Sequence, residues 1–499
     1  MPDERPNVVV ILTDDQGPWA MGCAGNPEIR TPNLDRLAAS GLRFENFFCA
    51  SPVCSPARAS LLTGLMPSRH GVLDWLARGN IDSAALDGLG QDDTAVEYLR
   101  GFTGYTEVLA ARGWTVGLSG KWHLGDSGRP QKGFGHWFAH CQSGGHYYTR
   151  APMFRHGRIE VQEKYLTEAI ADDAVEFITR AASRGPFCAE VHFTAPHSPW
   201  VGCHPPETVA SYADCPFRSC PELPAHPWQV ASAPRAQDAQ RRLLLQGYFA
   251  AVTEMDRGVG RVLDTLERLG IRERTLVFFL SDNGMCMGHH GVFGKGNATF
   301  PMNMFEESVK VPAILSQPGH LPQGRVETGL YSQVDWFPTL LDYLGLPDAG
   351  RDQRPGVSFA DLLRGKPLPG REQVVVTEEY GPVRMIRDRD WKYVHRYPYG
   401  PHEFYHLAED PGETRNLAER PESQARIRDY RNALEQFFRQ HADPAVDGAR
   451  QPVTGNGQVD RVGACAAQPA SFNPRHAYMD ADGKARPDEH RWGLFPTRP

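Results

Sequence analysis

A thiol, an arginine and a helix start fall together at Cys54-Ser55-Pro56-Ala57-Arg58, and the run continues Ala59-Ser60-Leu61-Leu62-Thr63-Gly64. A Cys just before a proline-initiated helical stretch sits where backbone N–H groups and the helix dipole favour an anion. The same placement lowers a thiol pKa, so a reactive Cys54 is expected. Taken alone, the residue reads more simply as a buried, inert thiol. Its company changes that reading. Asp14, Asp15, Asp282 and Asn283 supply oxygen ligands only, and hard oxygen donors favour Ca²⁺ or Mg²⁺ over zinc. Arg58, Lys121 in Gly120-Lys121-Trp122-His123, and Lys295 in Gly294-Lys295-Gly296 offer fixed positive charge. His123 and His197 offer proton transfer. Such a set suits an anionic ester whose leaving oxygen gains charge in the transition state.

These groups lie far apart in the chain, so the fold must gather them. Asn7–Thr13 is a continuous apolar run of strand length, suited to a buried parallel strand, and Asp14-Asp15 ends it. The expected strands at 115–119, 187–193 and 276–280 end at Lys121, His197 and Asp282-Asn283 in the same way. Helical patterns intervene: one opened by Thr31 as cap with Pro32 and closed by Gly41, then 104–112, 165–182, and 238–269 with an interruption expected near Gly247 or Gly258. Strands alternating with helices argue for an α/β fold whose central sheet is mixed but mostly parallel. In such sheets ligands bind beyond the carboxyl ends of the strands, where all four polar segments fall.

The character changes after about residue 370. Short strands are expected at 374–378, 383–388, 391–396 and 403–407, followed by a helix over 421–441. This predicts three parts: a catalytic α/β domain (1–370), a smaller α+β subdomain (371–442) and an irregular tail (443–499). The tail suits packing across a neighbouring subunit, and a homo-oligomer is expected on that ground.

The eleven residues from Cys54 to Gly64 resemble the sulfatase signature, and Gly113–His123 is similar to the second signature of that family, with Trp114 at a position more usually Tyr or Val. The resemblance runs from about residue 7 to 440. It implies membership of the type I sulfatases, in the alkaline-phosphatase-like superfamily. In that family a separate maturation enzyme oxidises the Cys to formylglycine, whose hydrate is the nucleophile. It further implies that Asp14, Asp15, Asp282, Asn283 and residue 54 hold Ca²⁺, with Mg²⁺ the alternative. Arg58 and the cation would stabilise the attacking alkoxide, and Lys121 and Lys295 would hold sulfate oxygens. His197 would help to protonate the departing alcohol, and His123 would take the proton from the second hydroxyl, expelling sulfate. His289, His290 and His146 are weaker candidates for substrate contacts.

The expected substrate is a small sulfated molecule, preferably a carbohydrate sulfate, with aryl sulfates as model substrates. Two alternatives use the same residues: a phosphonate monoester or phosphodiester hydrolase, and an unmodified protein that binds metal and anion without turnover. Lys plus Arg number 53 against 60 Asp plus Glu, a net charge of −7, so no nucleic-acid partner is expected. No apolar run reaches membrane-span length, and no signal-peptide core is visible, which points to the cytoplasm. The ten Cys lack a framework spacing and read as reduced thiols. Cys203-His204, Cys215 and Cys220 raise zinc only weakly, because their spacing is irregular.

Overall fold

The first strand shows how the molecule is layered. In Asn7–Thr13 every residue is buried. Val8, Val10 and Leu12 enter one hydrophobic core while Val9 and Ile11 enter another, so the sheet is covered on both faces. The computed structural model describes residues 5–81, 94–142, 147–230, 233–234, 238–379, 382–467 and 470–473. His146, and the tail beyond 473, lie outside the described residues.

The large sheet has ten strands. In spatial order they are Arg325–Ser332, Leu42–Phe48, Ala313–Ser316, Thr275–Ser281, Asn7–Thr13, Phe187–His192, Thr115–Gly120, His136–His140, Ala151–Arg155 and Arg158–Gln162. Thr275–Ser281, Asn7–Thr13, Phe187–His192, Thr115–Gly120 and His136–His140 run parallel. Ala313–Ser316 and the hairpin of the last two strands run antiparallel. The sheet is thus mixed but mostly parallel, as the alternation of patterns predicts. A second sheet, Val374–Glu378, Val383–Arg387, Trp391–Arg396 and Glu403–His406, is a fully antiparallel meander covered by the helix Gln424–His441. Among the described residues no helix is long and apolar enough to cross a membrane.

Two local expectations are corrected. The helix Asp238–Arg268 runs unbroken for 31 residues through both glycines. A Cβ at Gly247 would lie 1.9 Å from the carbonyl oxygen of Trp200, so the glycine is there for close packing and not to break the helix. The helix Pro32–Ala39 is not capped by Thr31, whose hydroxyl instead accepts from the Gly22 N–H at 2.8 Å. Asp256, on the long helix, accepts from the N–H groups of Asn33 (3.2 Å) and Leu34 (2.8 Å) in its place. The described part of the tail packs on its own chain: Asp443 N donates to Ser68 O, and Gln458 pairs with Leu76.

Candidate active site

Register makes the strand ends flush. Thr13 is paired with Ser281, while His192 is paired with both Leu12 and Gly120. The next residues out are Asp14, Asp282 and Lys121, so three distant segments reach one edge at one height. Gly120 is required there. Its φ is +120°, and a Cβ would lie 1.9 Å from the His192 carbonyl oxygen, which receives the Lys121 N–H.

The helix Cys54–Thr63 brings the fourth segment, with all ten of its residues buried and Gly64 closing it in the left-handed conformation. It begins at Cys54 itself, two residues ahead of Pro56. The expectation of a lowered thiol pKa does not hold. Burial pushes the Cys54 thiol up, and the nearby Lys121 and Lys295 do not reverse it because Asp14 and Asp282 oppose them. The unmodified side chain is a neutral thiol and a weak nucleophile.

Three carboxylates and three cations interlock around it. Lys121 Nζ lies 2.5 Å from Asp14 Oδ2, and Lys295 Nζ 2.5 Å from Asp15 Oδ1. Arg58 donates from Nε to Asp282 Oδ2 at 3.0 Å and from Nη1 to the Lys121 carbonyl at 3.1 Å. Asn283 Nδ2 donates to Asp15 Oδ1 at 2.8 Å. Burial works against the Asp14 carboxylate, yet Lys121, His197, Arg58 and Lys295 together hold it well below the usual range. Asp282 goes the other way: burial and the Asp14 charge push it up to about 7 against the pull of Arg58. The two neighbouring carboxylates are thus driven in opposite directions by the same surroundings. Asp14 Oδ1 is buried with no hydrogen-bond partner. Asp14 lies in a cluster with the ligand atoms of Asp15 and His197, beside the oxygen-bearing side chains of Asp282 and Asn283, and its orphaned oxygen fits a divalent cation.

The two histidines are polarised by what they touch. His197 Nδ1 donates to the Ser198 carbonyl at 2.7 Å, leaving Nε2, 3.5 Å from Asp15 Oδ2, as the position that gains and loses a proton. His123 Nε2 meets the Leu76 carbonyl at 3.4 Å. A carbonyl only accepts, so Nε2 carries the hydrogen and Nδ1, buried and unpartnered, keeps its lone pair. Burial, then Lys121 and Arg58, hold His123 well below the usual histidine range, so it rests neutral. Asp15 and His123 have φ of 62° and 59°, a left-handed backbone that costs non-glycine residues energy and gathers at functional sites.

His289 and His290 lie elsewhere. His289 packs at a tilt against Trp19, and His290 packs flat on Phe305 while Nε2 meets Glu307 at 2.9 Å. Both line a cavity of about 630 Å³ with Trp228 and Tyr405, whose walls include none of Cys54, Arg58, Lys121, His123, His197 or Lys295. His204 is held by the Tyr165 hydroxyl, and no metal-like cluster among the described residues includes Cys203, Cys215 or Cys220. Three further residues support the site, of which sequence reasoning missed Tyr248 and Gln333. The Tyr147 ring lies 4.8 Å from Lys121 Nζ and edge-on to His197. Tyr248 OH donates to the Asp15 carbonyl at 3.1 Å and accepts from Gly17 N. Gln333 Nε2 donates to the carbonyls of Ser281 and Asp282. Tyr248 and Gln333 belong to no local motif, so only the tertiary structure could reveal them.

The family model Sulfatase matches residues 6–346, and the model for the C-terminal part of N-sulphoglucosamine sulphohydrolase matches residues 288–440. The chain belongs to the sulfatase family and is a sulfuric ester hydrolase. It is 32% identical to the N-acetylgalactosamine-6-sulfatase of Homo sapiens over 73% of this chain and 67% of that one. It is 25% identical to the N-acetylglucosamine-6-O-sulfatase of Bacteroides thetaiotaomicron, over 89% and 88%. A protein solved in complex with its substrate D-glucosamine-2-N,6-O-disulfate shares the fold at a TM-score of 0.72 and 24% identity, over 87% of this chain and 98% of that one. The phosphonate monoester hydrolase of Agrobacterium radiobacter also shares it, with a TM-score of 0.65 and 23% identity over 88% and 96%. The fold therefore does not by itself separate sulfur from phosphorus chemistry.

Proposed function

We propose that this sulfatase hydrolyses a carbohydrate sulfate monoester, with Cys54 oxidised to formylglycine and a divalent cation, Ca²⁺ in preference to Mg²⁺, beside it. The observation that carries the reading is the state of Cys54: a buried neutral thiol at the centre of six charged side chains. A thiol there is a poor nucleophile and a poor partner for a hard cation. A hydrated aldehyde suits the place, since one hydroxyl supplies the attacking oxygen and the second a route for expelling sulfate. Asp14, Asp15, Asp282 and Asn283 would hold the cation, whose chemistry is Lewis-acid polarisation of oxygen.

The chain's own residues do the rest. Arg58, fixed between Asp282 and the Lys121 carbonyl, brings positive charge to the start of the helix that carries residue 54. Lys121 and Lys295 bind sulfate oxygens, exchanging part of their contact with Asp14 and Asp15 for the substrate. His197 delivers a proton from Nε2 to the departing alcohol, and His123 Nδ1 accepts one from residue 54. The named activities of the two sugar-sulfatase relatives support a carbohydrate substrate.

Peptide mass analysis around residue 54, joined to a screen of sulfated saccharides read by sulfate release, tests the proposal. Formylglycine at 54 and release from an amino-sugar sulfate are expected. An unmodified thiol in fully active protein refutes the mechanism. Faster hydrolysis of matched phosphonate monoesters or phosphodiesters, the reading favoured by the shared fold of the phosphonate hydrolase, refutes the substrate.

A further inference from the structure

The tail beyond residue 440 lies outside both family matches. It nevertheless reaches the site. Gln458 is completely buried, and all but one of its hydrogen bonds among the described residues, the one from Nε2 to the Asp460 carbonyl, go to residues 71–77. Its backbone N–H donates to the Trp75 carbonyl at 2.8 Å, and its carbonyl accepts from the Ala77 N–H at 3.0 Å. These two bonds bracket Leu76. Its side chain accepts from Leu73 N at 2.9 Å and donates to Gly71 O at 2.9 Å, fixing the start of the same loop. Asp74 and Trp75 add a second set, accepting from Gly457 N and donating to Gly455 O.

Leu76 matters because both of its peptide groups face the site. Its N–H donates to the hydroxyl of Ser55, next to Cys54, at 3.2 Å. Its carbonyl is the acceptor that gives His123 its tautomer. We infer that Gln458 is a positioning residue for catalysis: by clamping Leu76 it keeps Nε2 of His123 protonated and Nδ1 free to act as the base. The inference about position rests on geometry alone, and its catalytic consequence rests on the sulfatase mechanism proposed above.

Two variants test it. Gln458→Ala removes the side-chain anchors and leaves the Leu73 N–H without its acceptor. Gly457→Ala acts on the backbone, because Gly457 has a φ of +98° and a Cβ would meet Ala77 Cβ at 2.3 Å. Selective ¹⁵N labelling of histidine, with His123 assigned through a His123→Gln control, reports the tautomer without any need for turnover. The wild-type signal should show protonated Nε2 and bare Nδ1, and in each folded variant it should broaden or move towards a mixture. With a sulfate ester, kcat should fall by about ten- to a hundredfold while KM changes by less than about twofold, the pattern of a misplaced catalytic group. An unchanged His123 signal, or an unchanged kcat, in either folded variant overturns the inference. If the wild type releases no sulfate, the functional reading fails, and the histidine spectrum alone still decides whether Gln458 positions His123.

Discussion

Two buried knots of charge sit in this molecule, and they differ in what they leave over. One lies between the large sheet and the small one: Glu306 is met by Arg387, Lys310 and Lys392, and Lys392 also reaches Glu413 at 2.6 Å. Glu413 takes the Glu306 N–H on its other oxygen. Each carboxylate oxygen of this knot has a cation or an N–H group beside it, Glu413 Oε1 through the Lys392 ion pair alone. The other knot surrounds Cys54, and there Asp14 Oδ1 and His123 Nδ1 are buried without partners, on a backbone bent into the left-handed region at Asp15 and His123. Both gather acidic and basic side chains away from solvent. Function is marked by the atoms left unsatisfied, which are the ones free to hold a cation or move a proton.

The sharpest way to break this comparison is to remove the centre of the unsatisfied knot. Cys54→Ala should lower kcat by at least about 10³-fold, because the nucleophile is lost, while thermal unfolding changes little. A steady-state assay beside a melting curve checks both. Lys295→Ala should lower kcat by about 10²- to 10³-fold, measured on the same ester. Chelation should abolish turnover and added Ca²⁺ restore it. Recovery with Mg²⁺ but not Ca²⁺ would correct the identity of the ion.

The satisfied knot should behave in the opposite sense. Lys392→Met leaves Glu413 and part of Glu306 buried without their cation, and should cost about 3–5 kcal/mol of stability with kcat per folded molecule unchanged. Denaturant titration reads the first quantity and an active-site titre the second. A large loss of kcat in the folded fraction would dissolve the distinction.

The smallest effect concerns pH. Burial pushes Asp74, which supports the tail segment, up to about 7 despite the N–H groups it accepts. Its folded pKa is raised, so the folded state binds the proton more tightly than the unfolded one. Stability from this group is therefore full below about pH 4 and is lost as pH rises towards 7. The loss is a few kcal/mol at most, since each pH unit separating the folded and unfolded values is worth about 1.4 kcal/mol. Asp74→Asn should flatten that part of the stability profile, as followed by melting temperature against pH.

The architecture is legible in the sequence where a pattern is complete within one segment. Uninterrupted apolar runs mark the central parallel strands, and the polar residues following them mark the edge where Asp14, Lys121 and Asp282 meet. Outer strands such as Leu42–Phe48 and Arg325–Ser332 mix buried and exposed residues and carry no such run. What escapes is whatever depends on distant partners. The helix at 32–39 is capped from Asp256, across 222 residues, so Thr31 is the natural but mistaken choice. The Cys54 thiol misleads because a helix start favours the thiolate, whereas full burial beside Asp14 and Asp282 outweighs it. Tyr248, Gln333 and Gln458 act through backbone groups, for which no local motif exists.

The helix Asp238–Arg268 touches this machinery twice. Tyr248 bonds the backbone on either side of Asp15's neighbour Gln16, and Asp256, eight positions further on, holds the start of the helix at 32. One inserted residue between them would turn one contact by about 100° relative to the other and advance it by about 1.5 Å. Substitutions between the two positions leave both contacts in phase, whereas an insertion or deletion there would break one of them, which makes the interval from 248 to 256 a fixed ruler within the helix and a poor place to graft new sequence.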